Sequence, residues 1–441
     1  GSLDDERSSE AKALTTRHLI YIAIAGSLGT GLFVGSGATI AIAGPGGALL
    51  AFLLAAILVG AIVTTLGEIA TQLPLPGGIT TMAHIFVNPA CGLTLGWNYW
   101  FQWAISLPSE LSALGIIMSF WWPTVPAWIW SGSALIVLML IHFAGARSFG
   151  ETEAVLSIIK IAACFAFIAI GLLLDVGWMP GASIEAPKLK YWSHYDGAPF
   201  KNGVSGLLAI FLMAFFAFGG SELVGITASQ AKEPRRSVPK AIRGTMVRLV
   251  GFYFLSIAVL GLTVANDDPA LLGSGDASDI TTAAFTLVFH RAGLSWAAHL
   301  MNFVVLCAVL SAGNSALYAA SQTIQTMACR GQAPAALAKN TPSLSALWQQ
   351  RQHPNRPVEQ TVPARALLLT AAFGTVTFLG IFWDQGRIFE ILVGLAGISA
   401  ILTYGAILYV HYRFRQAIRL RATQPAREQP ELVYRSPLYP V

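Results

Sequence analysis

Runs of about twenty apolar residues, separated by short polar segments, recur along nearly the whole 441-residue chain. As helix, a run of that length crosses the hydrocarbon core of a bilayer, roughly 30 Å. Ten runs fall near 19–42, 47–70, 94–120, 127–146, 152–174, 204–230, 241–265, 295–328, 363–383 and 388–411. Every backbone polar group in hydrocarbon needs an internal partner, so these runs are predicted to be helices. They divide the chain into a polar segment 1–17, a membrane core over 18–411 and a tail 412–441. Ahead of the first run there is neither an apolar h-region nor a cleavage site.

Composition agrees with the pattern. Only 11% of residues are charged and 55% are hydrophobic, whereas soluble domains carry about 25% charged residues. The class is therefore all-α membrane protein. A net charge of +5 would suggest nucleic acid in a soluble chain, but here the placement of the charge carries the information. With the N-terminus inside, the inner segments hold 20 of the 27 Lys and Arg residues and the outer segments hold five. By the positive-inside rule both the N-terminal segment and the basic tail are expected on the cytoplasmic side. The acidic stretch 267–279 then lies outside. Residues 175–203, rich in Trp, Tyr and Pro, are expected to form an outer cap, and residues 330–361 a flexible inner loop.

Two interruptions stand out within the apolar runs. The first run contains Gly26-Ser27-Leu28-Gly29-Thr30-Gly31, and the sixth contains Gly219-Gly220-Ser221-Glu222. Each glycine costs a helix interior about 1 kcal/mol against alanine, and backbone groups freed in hydrocarbon need something polar to meet them. Close helix packing through small residues is the alternative reading of the first site alone. The second break, however, sits at the corresponding place in the other half of the chain. Paired interruptions of this kind mark inverted-repeat transporters, here with repeats over about 19–174 and 204–411. The N-terminal end of a half-helix offers free N–H groups and positive partial charge to a carboxylate, and unwound carbonyls suit an ammonium group. A zwitterion satisfies both.

The buried ionisable residues read from the runs are Glu110, Lys160, Glu222 and Arg248, with Glu68 near an inner end. A charge at membrane depth costs about 2.5–3.5 kcal/mol on insertion scales, so each requires a reason. Arg248 can snorkel to the inner face, and Glu68 can reach the same interface. Lys160, deeper in its run, is either a structural partner of a helix end or a lysine that exchanges a proton. Glu110 and Glu222 either face a cavity or cap broken backbone. The four cysteines and eight histidines show neither disulfide nor metal-ligand spacing. No nucleophile elbow, Walker loop or zinc-protease motif is present, so no enzyme, cofactor, metal or nucleic-acid partner is expected.

The blocks IAGSLGTGLFVGSG (24–37), GWNYWFQWAISLPSE (96–110) and AFFAFGGSELVGITASQAKEPRRSVPKAI (214–242) resemble those of an amino acid permease. So do LSAGNSALYAAS (310–321) and HYRFR (411–415). The family is the amino acid–polyamine–organocation (APC) superfamily, in its yeast and bacterial amino acid transporter branch, and the resemblance runs from residue 17 onward. It implies a LeuT-type bundle of five plus five inverted helices. The N–H groups of Gly29, Thr30 and Gly31 would hold the substrate carboxylate, and the carbonyls of Ser27, Phe216 and Gly219 its amino group. Phe216 and Phe218 would gate the pocket. Glu110, Ser311 and Asn314 would contribute to the pocket or to coupling, and Lys160, with Glu222, to proton coupling. The family has twelve helices; this chain carries ten and ends at Val441 just after YRSPLYP, so the last hairpin, helices 11 and 12, is expected to be missing.

The function these features imply is import of amino acids across a membrane, by resemblance the plasma membrane. It would work by alternating access as a symporter, with the proton as coupling ion and lipid as surroundings. An exchanger without ion coupling, or an amino acid sensor that does not transport, are the alternatives. A general or neutral substrate range is expected, with basic amino acids as the rival because of the buried acids.

Overall fold

The structure is a computed structural model. It describes residues 29–193, 197–223, 225, 228, 231, 233–268, 271, 284–352, 361–383, 385–422 and 432–436. Ser27, with the rest of 1–28, lies outside the described residues, and so does the side chain of Arg248.

Helices account for almost all of the regular structure. In chain order they are α1 (Thr30–Phe33), α2 (Gly35–Gln72), α3 (Ile79–Phe86), α4 (Pro89–Met118), α5 (Ala127–Phe143) and α6 (Ala146–Val176). Then follow α7 (Lys190–Ser193), α8 (Gly203–Ala217), α9 (Pro234–Thr263), α10 (Ala284–Arg291) and α11 (Ser295–Cys329). The chain continues with α12 (Leu344–Gln352), α13 (Ala364–Gly374) and α14 (Gln385–Ala422). Among the described residues, five helical segments are long and apolar enough to cross a membrane. They are α2, α6, α11, α14 and α13 taken together with the 3-10 turn Thr375–Ile381.

The predicted boundary between the first two runs survives as a kink inside α2. Gly44 sits at φ +73° and is followed by Pro45, which cannot donate to the helix. The orphaned groups of the kink are met from the 175–203 cap. Gly46 N–H donates to Pro199 O at 2.8 Å, and Lys201 N–H donates to Ala43 O at 3.0 Å. A side chain at Gly44 would stand 2.7 Å from that same Pro199 oxygen, so glycine is required on both conformational and steric grounds. At the start of α4, Asn88 caps the helix by accepting from Cys91 N–H at 2.7 Å, with Pro89 at the first helical position.

α11 and α14 pack most extensively on α4, and α8 and α9 on α2, so α4 and α2 are the spines of the bundle. Outward-facing Ile57, Ile136, Leu140, Phe165 and Leu208 remain exposed, as expected where the surroundings are lipid. Two expectations need correction. Residues 330–361 are not a featureless loop in their described part. A 3-10 turn (Ala335–Ala338), α12 and a two-residue antiparallel ladder pairing Thr341 with Val362 and Pro342 with Thr361 give them order. Glu68 is not left exposed at its helix end: it is fully buried within the protein. Arg415 grips both its oxygens, at 2.5 and 2.6 Å, and His411 Nε2 lies 3.3 Å away. Ser436 N–H donates to Glu68 Oε2 at 2.7 Å. A buried carboxylate needs such partners, and they come from residues more than 300 positions away in the chain.

Candidate functional site

The first glycine break opens a helix. Helical bonding starts at Gly29, whose carbonyl accepts from Leu32 and Phe33 N–H at 3.2 and 3.3 Å, and continues with Val34 N–H to Thr30 O at 2.8 Å. The N–H groups of this first turn have no partner within the helix by construction and carry its positive end. Gly31 permits a close approach: a Cβ there would stand 2.4 Å from Ala217 Cα, at the end of α8. The two broken segments therefore touch backbone to backbone.

The second break closes upon itself. α8 ends at Ala217, Gly219 N–H turns back to Phe216 O at 2.8 Å, and Gly220 takes φ +91°. The freed carbonyls find hydroxyls. Tyr253 of α9 donates to Ala217 O at 2.5 Å, and Ser221 donates to Phe218 O at 2.7 Å. Glu222 Oε2 accepts from Gly220 N–H at 3.0 Å and from Tyr404 of α14 at 2.8 Å. Of the two roles open to Glu222, the geometry supplies the capping one.

Between the breaks lies a small cavity of about 40 Å³, room for a few water molecules at about 10–15 Å³ each. Gly29, Thr30 and Gly31 line it from the first break, and Phe216 and Gly219 from the second. α4 adds Gln102, Trp103, Ser106 and Glu110; Ala312 of α11 and Ala396 of α14 complete the wall. Glu110 is buried and accepts from the Thr30 hydroxyl through Oε1 at 3.0 Å. No donor among the described residues reaches its Oε2. Gln102 is fixed from behind by Thr403, whose hydroxyl donates to its Oε1 at 2.9 Å.

The other expected site residues fall outside this cavity. Phe218 turns the opposite way from Phe216 and stacks on Tyr253 at 4.3 Å, with Phe52 at 6.3 Å. Lys160, Ser311 and Asn314 form a second buried cluster behind the wall. Lys160 Nζ donates to Ser311 Oγ at 3.0 Å, Ser311 donates to Glu153 Oε2 at 2.5 Å, and Asn314 Nδ2 donates to Glu153 Oε1 at 2.6 Å. Glu153 was not among the buried groups read from the runs. Its place beside Glu151 at the start of a run resembles a solvated helix end, yet it is fully buried. Gln102 and Ser106 were also missed. Gln102, Ser106 and Glu110 follow one another at steps of four, which puts all three on one face of α4, a polar stripe visible in the sequence. Among the described residues no group of three or more His, Cys, Asp or Glu side chains could hold a metal ion.

Comparison with known proteins places the whole of this architecture in one group. The family model described as amino acid permease matches residues 18–441. The lysine-specific permease LysP of Escherichia coli strain K12 is 37% identical over 98% of this chain and 83% of its own length. The histidine permease HisP of Lactococcus lactis is 35% identical over 94% of this chain and 82% of its own. The general amino-acid permease GAP2 of Candida albicans is 34% identical over 96% and 68% respectively.

Proposed function

The chain belongs to the amino acid permease family, and from that premise we propose that it imports amino acids by alternating access, with proton entry as the driving force. The observation that carries the proposal is the cavity lined by both glycine breaks and by a buried carboxylate. In this reading the substrate carboxylate meets the N–H groups of Gly29, Thr30 and Gly31, at the positive end of the helix. Its amino group meets the carbonyls of Ser27, Phe216 and Gly219. Phe216 closes the site from one side. The helices form the five-plus-five inverted arrangement with ten spans, the N-terminus and basic tail on the cytoplasmic face of the plasma membrane.

Lys160 carries the coupling proton in this reading, and Glu222 supports the break beside it. One proton crossing 100 mV supplies about 2.3 kcal/mol, enough for roughly fifty-fold accumulation at about 1.4 kcal/mol per decade. Proteoliposomes holding an inward proton gradient test this. The wild-type chain accumulates a labelled mixture of the twenty amino acids above equilibrium, and Lys160→Met abolishes the accumulation. Gradient-driven accumulation at the wild-type rate in Lys160→Met refutes the coupling role.

A narrower reading of the substrate rests on Glu110. A carboxylate oxygen without a donor among the described residues, beside a cavity, suits an amino acid with a cationic side chain, and two relatives are a lysine-specific and a histidine permease. A competition panel at two pH values decides: lysine, arginine and histidine outcompete neutral amino acids under this reading, and equal competition by neutral ones refutes it.

A further inference from the structure

α6 carries two buried charges of opposite sign seven residues apart, Glu153 and Lys160, both fully shielded from solvent. Both contact the hydroxyl of Ser311, which enters from α11, and the direction of each bond is informative. Lys160 Nζ donates to Ser311 Oγ, and Ser311 Oγ donates onward to Glu153 Oε2, at 3.0 and 2.5 Å. Asn314, one turn further along α11, holds the other Glu153 oxygen at 2.6 Å and so fixes the carboxylate plane. The backbone of α11 is anchored there in turn, with His142 Nε2 of α5 at 3.1 Å from Asn314 O.

We infer that Glu153 is the acceptor that takes the coupling proton from Lys160 through the Ser311 hydroxyl. The inference rests on the proton-coupled reading above and adds to it a residue and a direction. The step balances. A proton passes from Lys160 Nζ to Ser311 Oγ as the Ser311 hydroxyl proton passes to Glu153 Oε2. The ammonium becomes an amine, the carboxylate becomes an acid, and Ser311 is restored. Transfer cancels two buried charges at once, so neither state leaves an unpaired charge in a low-dielectric surrounding. The transfer runs over two contacts of 3.0 and 2.5 Å, from Lys160 Nζ through Ser311 Oγ to Glu153 Oε2. That displacement is toward the N-terminal end of the helix, where Arg147 stands.

The same stretch of α11 joins this chain to the substrate cavity. Ala312 lines the cavity, and a Cβ on Gly313 would stand 3.6 Å from Glu110 Cβ, while Ser311 and Asn314 face α6. A shift of α11 as the cavity fills thus changes the Lys160–Ser311–Glu153 distances directly. The other titratable groups acting on Lys160 are Cys164 on its own helix, Cys307 on α11 and Glu110 on α4, with Tyr253 of α9 acting on Cys164. His142 of α5 approaches through Asn314. Ser311 contacts both Lys160 and Glu153.

The test uses the full chain in proteoliposomes and a labelled mixture of the twenty amino acids. Two rates are measured for each variant: accumulation under an inward proton gradient and counterflow at equal pH. Their ratio removes effects on folding and binding, and an entrapped pH dye reads the protons moved per substrate. Glu153→Gln is expected to lower the ratio at least about tenfold, with Ser311→Ala following it and Ser311→Thr, which keeps a hydroxyl, staying within about threefold of wild type. Should Glu153→Gln not reach the membrane, Glu153→Asp keeps a carboxylate at shortened reach and is expected to lower the ratio at least about threefold. A wild-type ratio and wild-type proton count in Glu153→Gln, or in Glu153→Asp where that variant serves, overturn the inference alone. A wild-type chain that gains nothing from the gradient overturns the coupling reading, and the inference falls with it.

Discussion

The two glycine breaks meet the same difficulty with opposite outcomes. Each interrupts a membrane helix and frees backbone groups that hydrocarbon cannot satisfy. At Gly219-Gly220 the protein supplies the partners itself: Glu222, Tyr404, Tyr253 and Ser221 cap the freed donors and carbonyls one by one. At Gly29–Gly31 it supplies a cavity, a threonine hydroxyl and a carboxylate with one oxygen still without a donor among the described residues. The second break is capped largely by protein, although Glu222 Oε1, like Glu110 Oε2, lacks a donor among the described residues, and both breaks line the cavity. The glycines alone do not say how the freed groups of each break are met.

The sharpest way to damage the open break is Gly31→Ala. Its Cβ would lie 2.4 Å from Ala217 Cα. Overpacking of a tight core costs about 1–3 kcal/mol, so uptake is expected to fall by up to about 100-fold with the protein still inserted; transport assays with surface labelling check this. Next is Glu110→Gln, which removes the charge but keeps the shape. A hydrogen bond to a charged group is worth about 1.5–3 kcal/mol. Affinity for lysine is expected to drop roughly ten- to a hundred-fold, with a smaller loss for neutral amino acids, as measured by competition binding.

The closed break should respond differently. Tyr404→Phe removes one donor from Glu222, leaving part of a buried acceptor unmet at a cost of about 1–3 kcal/mol. Melting temperature is expected to fall by about 2–4 °C per kcal/mol, while substrate affinity stays within about twofold. An affinity loss larger than the stability loss would erase the contrast between the breaks. The smallest effect is expected for Gly29→Ala, because a Cβ there meets Ala312 Cβ at an ordinary 3.5 Å. Uptake is expected within about threefold of wild type.

The helices and their order were legible because hydrophobic period and length are local properties. Both breaks were legible for the same reason, as was Glu110 as a charge within an apolar run. What the sequence hid is tertiary. Phe216 and Phe218 differ by two positions and look alike, yet a turn at α8's end sends one to the cavity and the other onto Tyr253. Glu153 reads as a solvated helix start until Ser311 and Asn314, about 160 residues later, close over it. Glu68 reads as an interfacial acid until His411, Arg415 and Ser436 arrive from the far end of the chain. In each case the partner that decides the role lies beyond any local window.

In the reading proposed above, the N–H groups of the first break receive the substrate carboxylate, and the Gly220–Glu222–Tyr404 cap of the second break does not. A structure determined with a bound amino acid tests it most directly. The substrate carboxylate is expected within about 2.7–3.2 Å of the N–H groups of Gly29, Thr30 and Gly31, with the Gly220–Glu222–Tyr404 contacts intact. A carboxylate seated against Gly220, with Glu222 displaced from its two donors, contradicts it.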